Sequence, residues 1–374
     1  MPIEIQEITS KKGLKDFVRF QWKLYKGVAP YVPPVMDFEL SALSKEKNPA
    51  FEHSEGRFWL AYKDGEAVGR VAGIIHGAEA EKEKKIRFGW IDFIDDYDVS
   101  KALIDTVQEW GKSEDLEVIH GPLGFTDLDF EGTLISGFNQ MATQATLYNY
   151  PYYQDHFENM GFEKAVDWTE TRIKVPPGIG GDLNRAADLI GRRYGMQIKK
   201  FKSGKEILKY ADQVFELLNE SYSHLYGYYP LSEKQIKYFI DQYFGFVVKD
   251  MVALVNDKED QVIGFAVTFP SLSKAFKKAK GSLYPFGFLH VLKAFYFNDT
   301  VDFFLVAAKK EYQNKGLHAL LWSSLYEAFV KHKIKYVFSG QMLEDNKNVN
   351  NLLTKYESAK DEEIRRRCFT KTIV

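Results

Sequence analysis

"FFLVAAKKEYQNKGLHALLW", residues Phe303 to Trp322, sets the reading of the chain: an apolar run, a charged turn with one glycine, then apolar residues at helical spacing. That layout is a strand handing over to a helix, which makes Lys309 to Gly316 a βα loop and Leu317 the helix start. The first amides of a helix lack intrahelical partners, and with the helix dipole they favour an anion by roughly 0.3–1 kcal/mol per exposed charge. Lys309, Lys310 and Lys315 add positive charge, and Gly316 lets a ligand approach the backbone without a Cβ in the way. An ordinary connection also uses a glycine and lysines, so the loop alone leaves both readings open.

The surrounding sequence repeats. "RFWLAYKDGEAVGRVAGIIH" from Arg57 is two β-rich runs around Asp64-Gly65, a hairpin signal. "DMVALVNDKEDQVIGFAVTFP" from Asp250 has the same layout, and Val68-Gly69 matches Ile263-Gly264. After an insertion, each hairpin is followed by a strand and an amphipathic helix: "KKIRFGWIDF" and Val99 to Trp110 in the first half, Val301 to Ala308 and Leu317 to Lys331 in the second. Two diverged repeats spaced by half the chain are therefore expected. The seam falls at "VPPGIGGDL", where Pro176, Pro177, Gly178, Gly180 and Gly181 break regular structure, and Gly181 to Met196 reads as a short connecting helix. The division is 1–175, a linker over 176–196, and 197–374. The fold class is α/β, with a mixed sheet in each half.

Length and composition agree with two domains: 374 residues suffice for two cores. A net charge of -2 gives no electrostatic footprint for nucleic acid. Cys368 is the single cysteine, which excludes an intrachain disulfide and a cysteine zinc cluster, and the eight histidines are scattered without ligand spacing, so no metal is expected. The N-terminus lacks a signal-peptide layout, so a cytoplasmic protein is expected. The most apolar stretch, Leu283 to Phe297, is too short for a bilayer span and is interrupted by Pro285, Gly287, His290 and Lys293, so it is read as buried or interfacial.

With its flanking strand and helix, Gln313-Asn314-Lys315-Gly316-Leu317-His318 resembles the coenzyme A loop of the GNAT acyltransferase superfamily; His318 departs from that pattern by placing a side chain beside the diphosphate. "HGPLGFTDLDFEGTLISGF", "YNYPYYQDHFENMGF" and "QMLEDN" look like a family of bacterial tandem-GNAT proteins. The resemblance implies two GNAT-like domains in tandem and acetyl-CoA or another acyl-CoA as cofactor. It further implies a pantetheine arm paired with the backbone of Leu305, Val306, Ala307 and Ala308, and a diphosphate on the loop from Gln313 to His318. The equivalent place in the first half, Phe93 to Ser100, carries Asp95, Asp96 and Asp98, which would repel a diphosphate. One cofactor site in the second half is therefore expected, beside a degenerate first half, with a V-shaped opening between two central parallel strands in each.

The resemblance also implies an acid for the departing thiolate and a base for the amine. The acid position holds Phe157 in the first half; in the second it falls on Leu353, or on Tyr356 if the alignment shifts. Asp302, at the start of the cofactor strand, is a candidate base, and strict alternation places it on the face of Phe304 and Val306. Tyr222 and Tyr226 lie in a helical region expected to cover an acceptor pocket. Glu344 and Asn346 follow the last parallel strand, where they suit either a ligand site or a helix cap. Three functions stay open: an acyl-CoA-dependent N-acyltransferase on a small-molecule amine or amino acid, a non-catalytic ligand-binding module, and an aminoacyl-tRNA-dependent transferase, against which the balanced charge argues.

Overall fold

The structure, a computed structural model, describes residues 2–344 and 363–373. Chain order in the first half runs β1 (Glu4–Glu7), β2 (Ser54–Lys63), β3 (Glu66–His76), β4 (Lys85–Phe93), β5 (Val118–Gly121), β6 (Thr133–Ser136) and β7 (Glu163–Glu170). The chain then crosses to a second sheet through β8 (Arg172–Lys174), β9 (Gln197–Lys199), β10 (Val252–Asn256), β11 (Val262–Pro270), β12 (Thr300–Ala308) and β13 (Tyr336–Phe338). It returns through β14 (Met342–Leu343) and β15 (Ile364–Thr372).

The sheet orders are β1-β2-β3-β4-β5-β15-β7-β14, with β6 also on β15, and β8-β13-β12-β11-β10-β9. Both hairpins form where the sequence placed them; Asp64 and Gly65 both take positive φ, as a two-residue turn matching the twist of its strands requires. The connecting helix is Gly180–Tyr194, and the helix after the loop is Leu317–Lys331.

The last strand corrects the division made from sequence. β15 lies between β5 and β7 of the first sheet, and β14 pairs with β7, although both belong to the 197–374 segment. Conversely, β8, from the 1–175 segment, pairs with β13 of the second sheet. Each half thus completes its sheet with strands from the other. Arg366 on β15 pairs with Glu170 on β7 at 2.6 Å, both side chains buried, and Arg367 grips Asp167 with two nitrogens at 2.8 and 3.0 Å.

Each sheet holds one parallel pair that parts early. β4 and β5 pair only from Lys85–Val118 to Arg87–His120, while β4 continues to Phe93. β12 and β13 pair only from Thr300–Tyr336 to Asp302–Phe338, while β12 continues to Ala308. Both long strands then bulge: Trp90 and Ile91 face the one residue Val71, with Trp90 at φ 43, and Phe304 is the extra residue between Phe303 and Leu305. Under each V an apolar helix covers the sheet, with Val99, Leu103 and Val107 on Phe88 in the first half and Leu317, Leu321 and Phe329 on Val301 in the second. Among the described residues no helix is long and apolar enough to cross a membrane.

Candidate functional site

The bulge at Phe304 sets the chemistry of the β12 edge. It interrupts alternation, so Phe303 and Val306 pack toward the helix Leu317–Lys331, while Leu305 and Ala307 pack on the opposite side. Asp302 therefore does not share a face with Val306, contrary to the strict alternation expected. Lys309 donates its amide to Ile263 on β11, so ladder alternation turns the backbone groups of Val306 and Ala308 to the other edge, into the V. There the hydroxyl of Tyr222, the last residue of the helix Ala211–Tyr222, donates to the Val306 carbonyl at 3.1 Å and receives the Val306 N–H at 3.5 Å. Gln313 Nε2 donates to the Ala308 carbonyl at 3.2 Å.

The loop below is a 3-10 turn, Lys310–Lys315, ending at Gly316 with φ 79. Gln313, Asn314, Leu317 and His318 line the V, whereas Lys315 turns its ammonium over the rings of Tyr312 and Tyr194. A Cβ on Gly316 would meet Ile190 at 2.8 Å, and its left-handed φ disfavours any other residue. Gly316 is therefore fixed by the turn and by the packing of the connecting helix, and replacing it tests folding before binding.

The V opens into a cavity of about 600 Å³ between the halves, with Asp302, Tyr222 and Tyr226 in its wall. Across from the β12 edge, the first-half segment "TDLDFE" brings Asp127, Asp129 and Glu131 into the same cavity. Asp127 and Asp129 line the cavity half-buried, and desolvation raises both to about 6, in Asp129 against the Thr126 N–H that its Oδ2 accepts at 2.9 Å. Glu131 is raised well above its ordinary value by burial, then by the like charge of Asp127, and its Oε1 has no hydrogen-bond partner. Asp302 is 4% exposed and both its oxygens lack a well-formed hydrogen bond. Burial raises it to about 7, helped by the Glu170 charge and only partly opposed by the Ser271 hydroxyl. A narrow apolar recess of about 90 Å³ shares Asp129, Thr146 and Phe304 with this cavity and runs between Val32, Phe246, Leu272 and Phe276. Glu39, bonded by Trp90 Nε1 at 3.0 Å and raised to about 7 by burial, lies in the recess wall.

No protein-family profile matches the chain. The sequence is 27% identical over 365 residues to Protein YghO of Escherichia coli (strain K12), covering 93% of this chain and 90% of that one. It is 23% identical over 303 residues to a bacterial ceramide synthase of Caulobacter vibrioides, covering 78% and 76%. Among solved structures, a tandem GNAT protein from the clavulanic acid biosynthesis pathway superposes with a TM-score of 0.58 over 100% of this chain and 99% of that one, at 12% identity. The chain is a tandem GNAT-fold protein.

In this tandem GNAT fold the two Vs differ in what fills them. In the first half the chain after β5 occupies the gap itself: Leu123 donates to the Phe88 carbonyl at 2.9 Å, and a Cβ on Gly89 would lie 2.2 Å from the Leu123 oxygen. Higher up, Phe93 N–H donates to Tyr153 at 3.0 Å and its carbonyl accepts from Tyr152 at 2.6 Å. The difference between the two Vs is thus the chain itself: in the first half Leu123 sits in the gap where an added strand would lie. Asp96 meanwhile caps the helix Tyr97–Ser113 and pairs with Lys63 at 2.7 Å. Asp96→Lys is thus expected to cost about 0.5–2 kcal/mol through the lost cap and to leave coenzyme A affinity unchanged, as read by calorimetry on the folded variant.

The remaining expected site residues divide. Leu305, Val306, Ala307, Ala308, Gln313, Asn314, Leu317, His318, Asp302, Tyr222 and Tyr226 share one cavity wall. The Tyr226 hydroxyl is held by His120 Nδ1 at 2.8 Å. That histidine also contacts Glu79, which burial alone would raise but which Arg87 and His120 hold well below the carboxylate range. Glu344 does not line the cavity; Lys164 and Arg365 hold its carboxylate against the first sheet, because β14 has crossed over. Asn346, Leu353 and Tyr356 lie outside the described residues. Asp127, Asp129 and Glu131 were missed as site residues. Their only signal is three acids spaced by Leu128 and Phe130; the segment is a turn, with the Asp129 N–H on the Thr126 carbonyl at 3.1 Å, so the fold of that turn rather than strand alternation brings the carboxyls to the cavity.

Proposed function

We propose that the protein is an acyl-CoA-dependent N-acyltransferase whose acceptor is the primary amine of an amphiphilic small molecule. The observation that carries this reading is the Tyr222 hydroxyl on Val306: one group that both accepts and donates at one residue imitates the amide of an added strand. An amide arm would fit there by displacing the hydroxyl, with Val306 and Ala308 supplying backbone partners and Gln313, Asn314, Leu317 and His318 standing near the phosphate end. When bound, the thioester supplies an acyl carbon open to attack by a neutral amine, the C–N bond forming as the C–S bond breaks.

The chain's own residues supply the rest. Asp127 and Asp129, raised to about 6 and so ionised at neutral pH, attract an ammonium head, with the Glu131 carboxyl beside them as a hydrogen-bond partner, and the apolar recess admits the first carbons of its hydrocarbon part. Asp302, poised at about 7, accepts the proton that the amine must lose before or during attack. The relative described as a bacterial ceramide synthase supports an amphiphilic acceptor, a ceramide being the N-acyl derivative of a long-chain amino alcohol.

A thermal-shift comparison of free, acetyl- and long-chain acyl-CoA tests the cofactor. At a hundred times its Kd the bound form is expected to gain about 2.7 kcal/mol, and turnover with long-chain amines should appear as thiol release. Absence of stabilisation by every acyl-CoA, with the protein folded, sinks the proposal and leaves a non-catalytic binding module.

A further inference from the structure

The helices Ser273–Ala279 and Gly287–Tyr296 form a hairpin with two unlike faces. Inward, Phe276, Val291 and Phe295 pack with Leu272 and Phe246 over the apolar recess. Outward, Tyr284, Phe286, Tyr296 and Phe297 are 76%, 71%, 82% and 78% exposed, with Leu289 and Leu292 half exposed between them. Aromatic residues of this size rarely stand so far in water together unless something covers them. Lys274, Lys278, Lys280 and Lys293 rim the same hairpin in a stretch from Ser271 to Asn298 that contains no Asp or Glu, although the whole chain has a net charge of -2. The remaining lysine of the stretch, Lys277, is tied to the Ala29 carbonyl.

We propose that this hairpin docks the protein on an anionic lipid surface, with Phe286, Leu289, Leu292, Tyr296 and Phe297 entering the headgroup region. Exposed aromatic and leucine side chains beside lysines are the composition of helices that lie in an interface, sunk by about 5–10 Å. The charge selects this occupant over a second copy of the chain. An isologous dimer through this face would set the same lysines against each other, whereas an anionic membrane attracts them. Docking also places the recess beneath the hairpin next to the membrane, so an amphiphilic amine can pass from the lipid into the cavity. That delivery step rests on the function proposed above; the docking does not.

Flotation of the full chain with phosphatidylcholine vesicles, with and without phosphatidylglycerol, tests it. The wild type is expected to float with the anionic vesicles and to be released at about 1 M salt, where the Debye length falls to about 3 Å. Phe286→Glu/Tyr296→Glu/Phe297→Glu and Lys274→Glu/Lys278→Glu should each weaken binding at least tenfold. These side chains are exposed, so coenzyme A affinity, measured on the same variants, should equal that of the wild type. Failure of the wild type to bind anionic vesicles overturns docking, as does full binding by both variants or self-association through this face without vesicle binding. Failure of the wild type to bind coenzyme A, with flotation intact, overturns the enzymatic reading alone.

Discussion

Deleting the chain from Glu363 onward is expected to unfold the first sheet, the one built from the other end of the sequence. β15 runs between β5 and β7, so its loss opens a central gap and exposes ladder groups on both neighbours. It also removes Arg366, leaving Glu170 buried with no counter-charge. Breaking a buried pair by removing one partner costs about 3–5 kcal/mol, a large part of the 5–15 kcal/mol that stabilises a domain. Arg366→Met alone should thus lower the denaturation midpoint markedly, and the truncated chain should be recovered as an aggregate or a partly folded species. Residues 1–175 expressed alone should fail in the same way, because they lack both β14 and β15. A truncated chain that melts at the wild-type midpoint would refute the crossed arrangement.

That crossing shows where local reasoning stops. The hairpins at Asp64-Gly65 and Asp257–Gln261 and the helix Leu317–Lys331 were readable because turn chemistry and periodicity act over a few residues. The destination of Ile364–Thr372 was not, since alternation marks a strand without naming its partner. The bulge at Phe304 was hidden for a related reason. One extra residue leaves no mark in an all-apolar run, yet it moved Val306 to the face opposite Asp302. The carboxyls of "TDLDFE" were visible as a pattern but had no meaning until the first half was seen to wall the second half's V. Gly316 is the reverse case. Its position in the loop was right, and its reason lies in φ 79 and in Ile190.

Asp302→Asn is expected to stabilise the protein above neutral pH while lowering acyl transfer by at least 10²-fold, the usual contribution of a general base. Asp302 titrates at about 7 when folded against an ordinary value of 3.8, because burial and the Glu170 charge disfavour its ionised form. The unfolded chain therefore loses its proton first as pH rises. Stability falls from about pH 4 to about pH 7 and is flat beyond, once both states are ionised. Glu39, Asp127, Asp129 and Glu131 are raised as well and contribute slopes of the same sign, so the variant should retain a shallower decline rather than none. At 1.36 kcal/mol per unit the full shift sets a ceiling of about 4 kcal/mol; a gain of roughly 1–3 kcal/mol is expected because the amide is buried too. The two readouts separate the possible roles. A carboxyl that only fills space would give the stability gain with turnover intact, and one that holds the strand together would lose both. Greater stability with lost turnover is the outcome that marks a group kept in an unfavourable charge state for its chemistry.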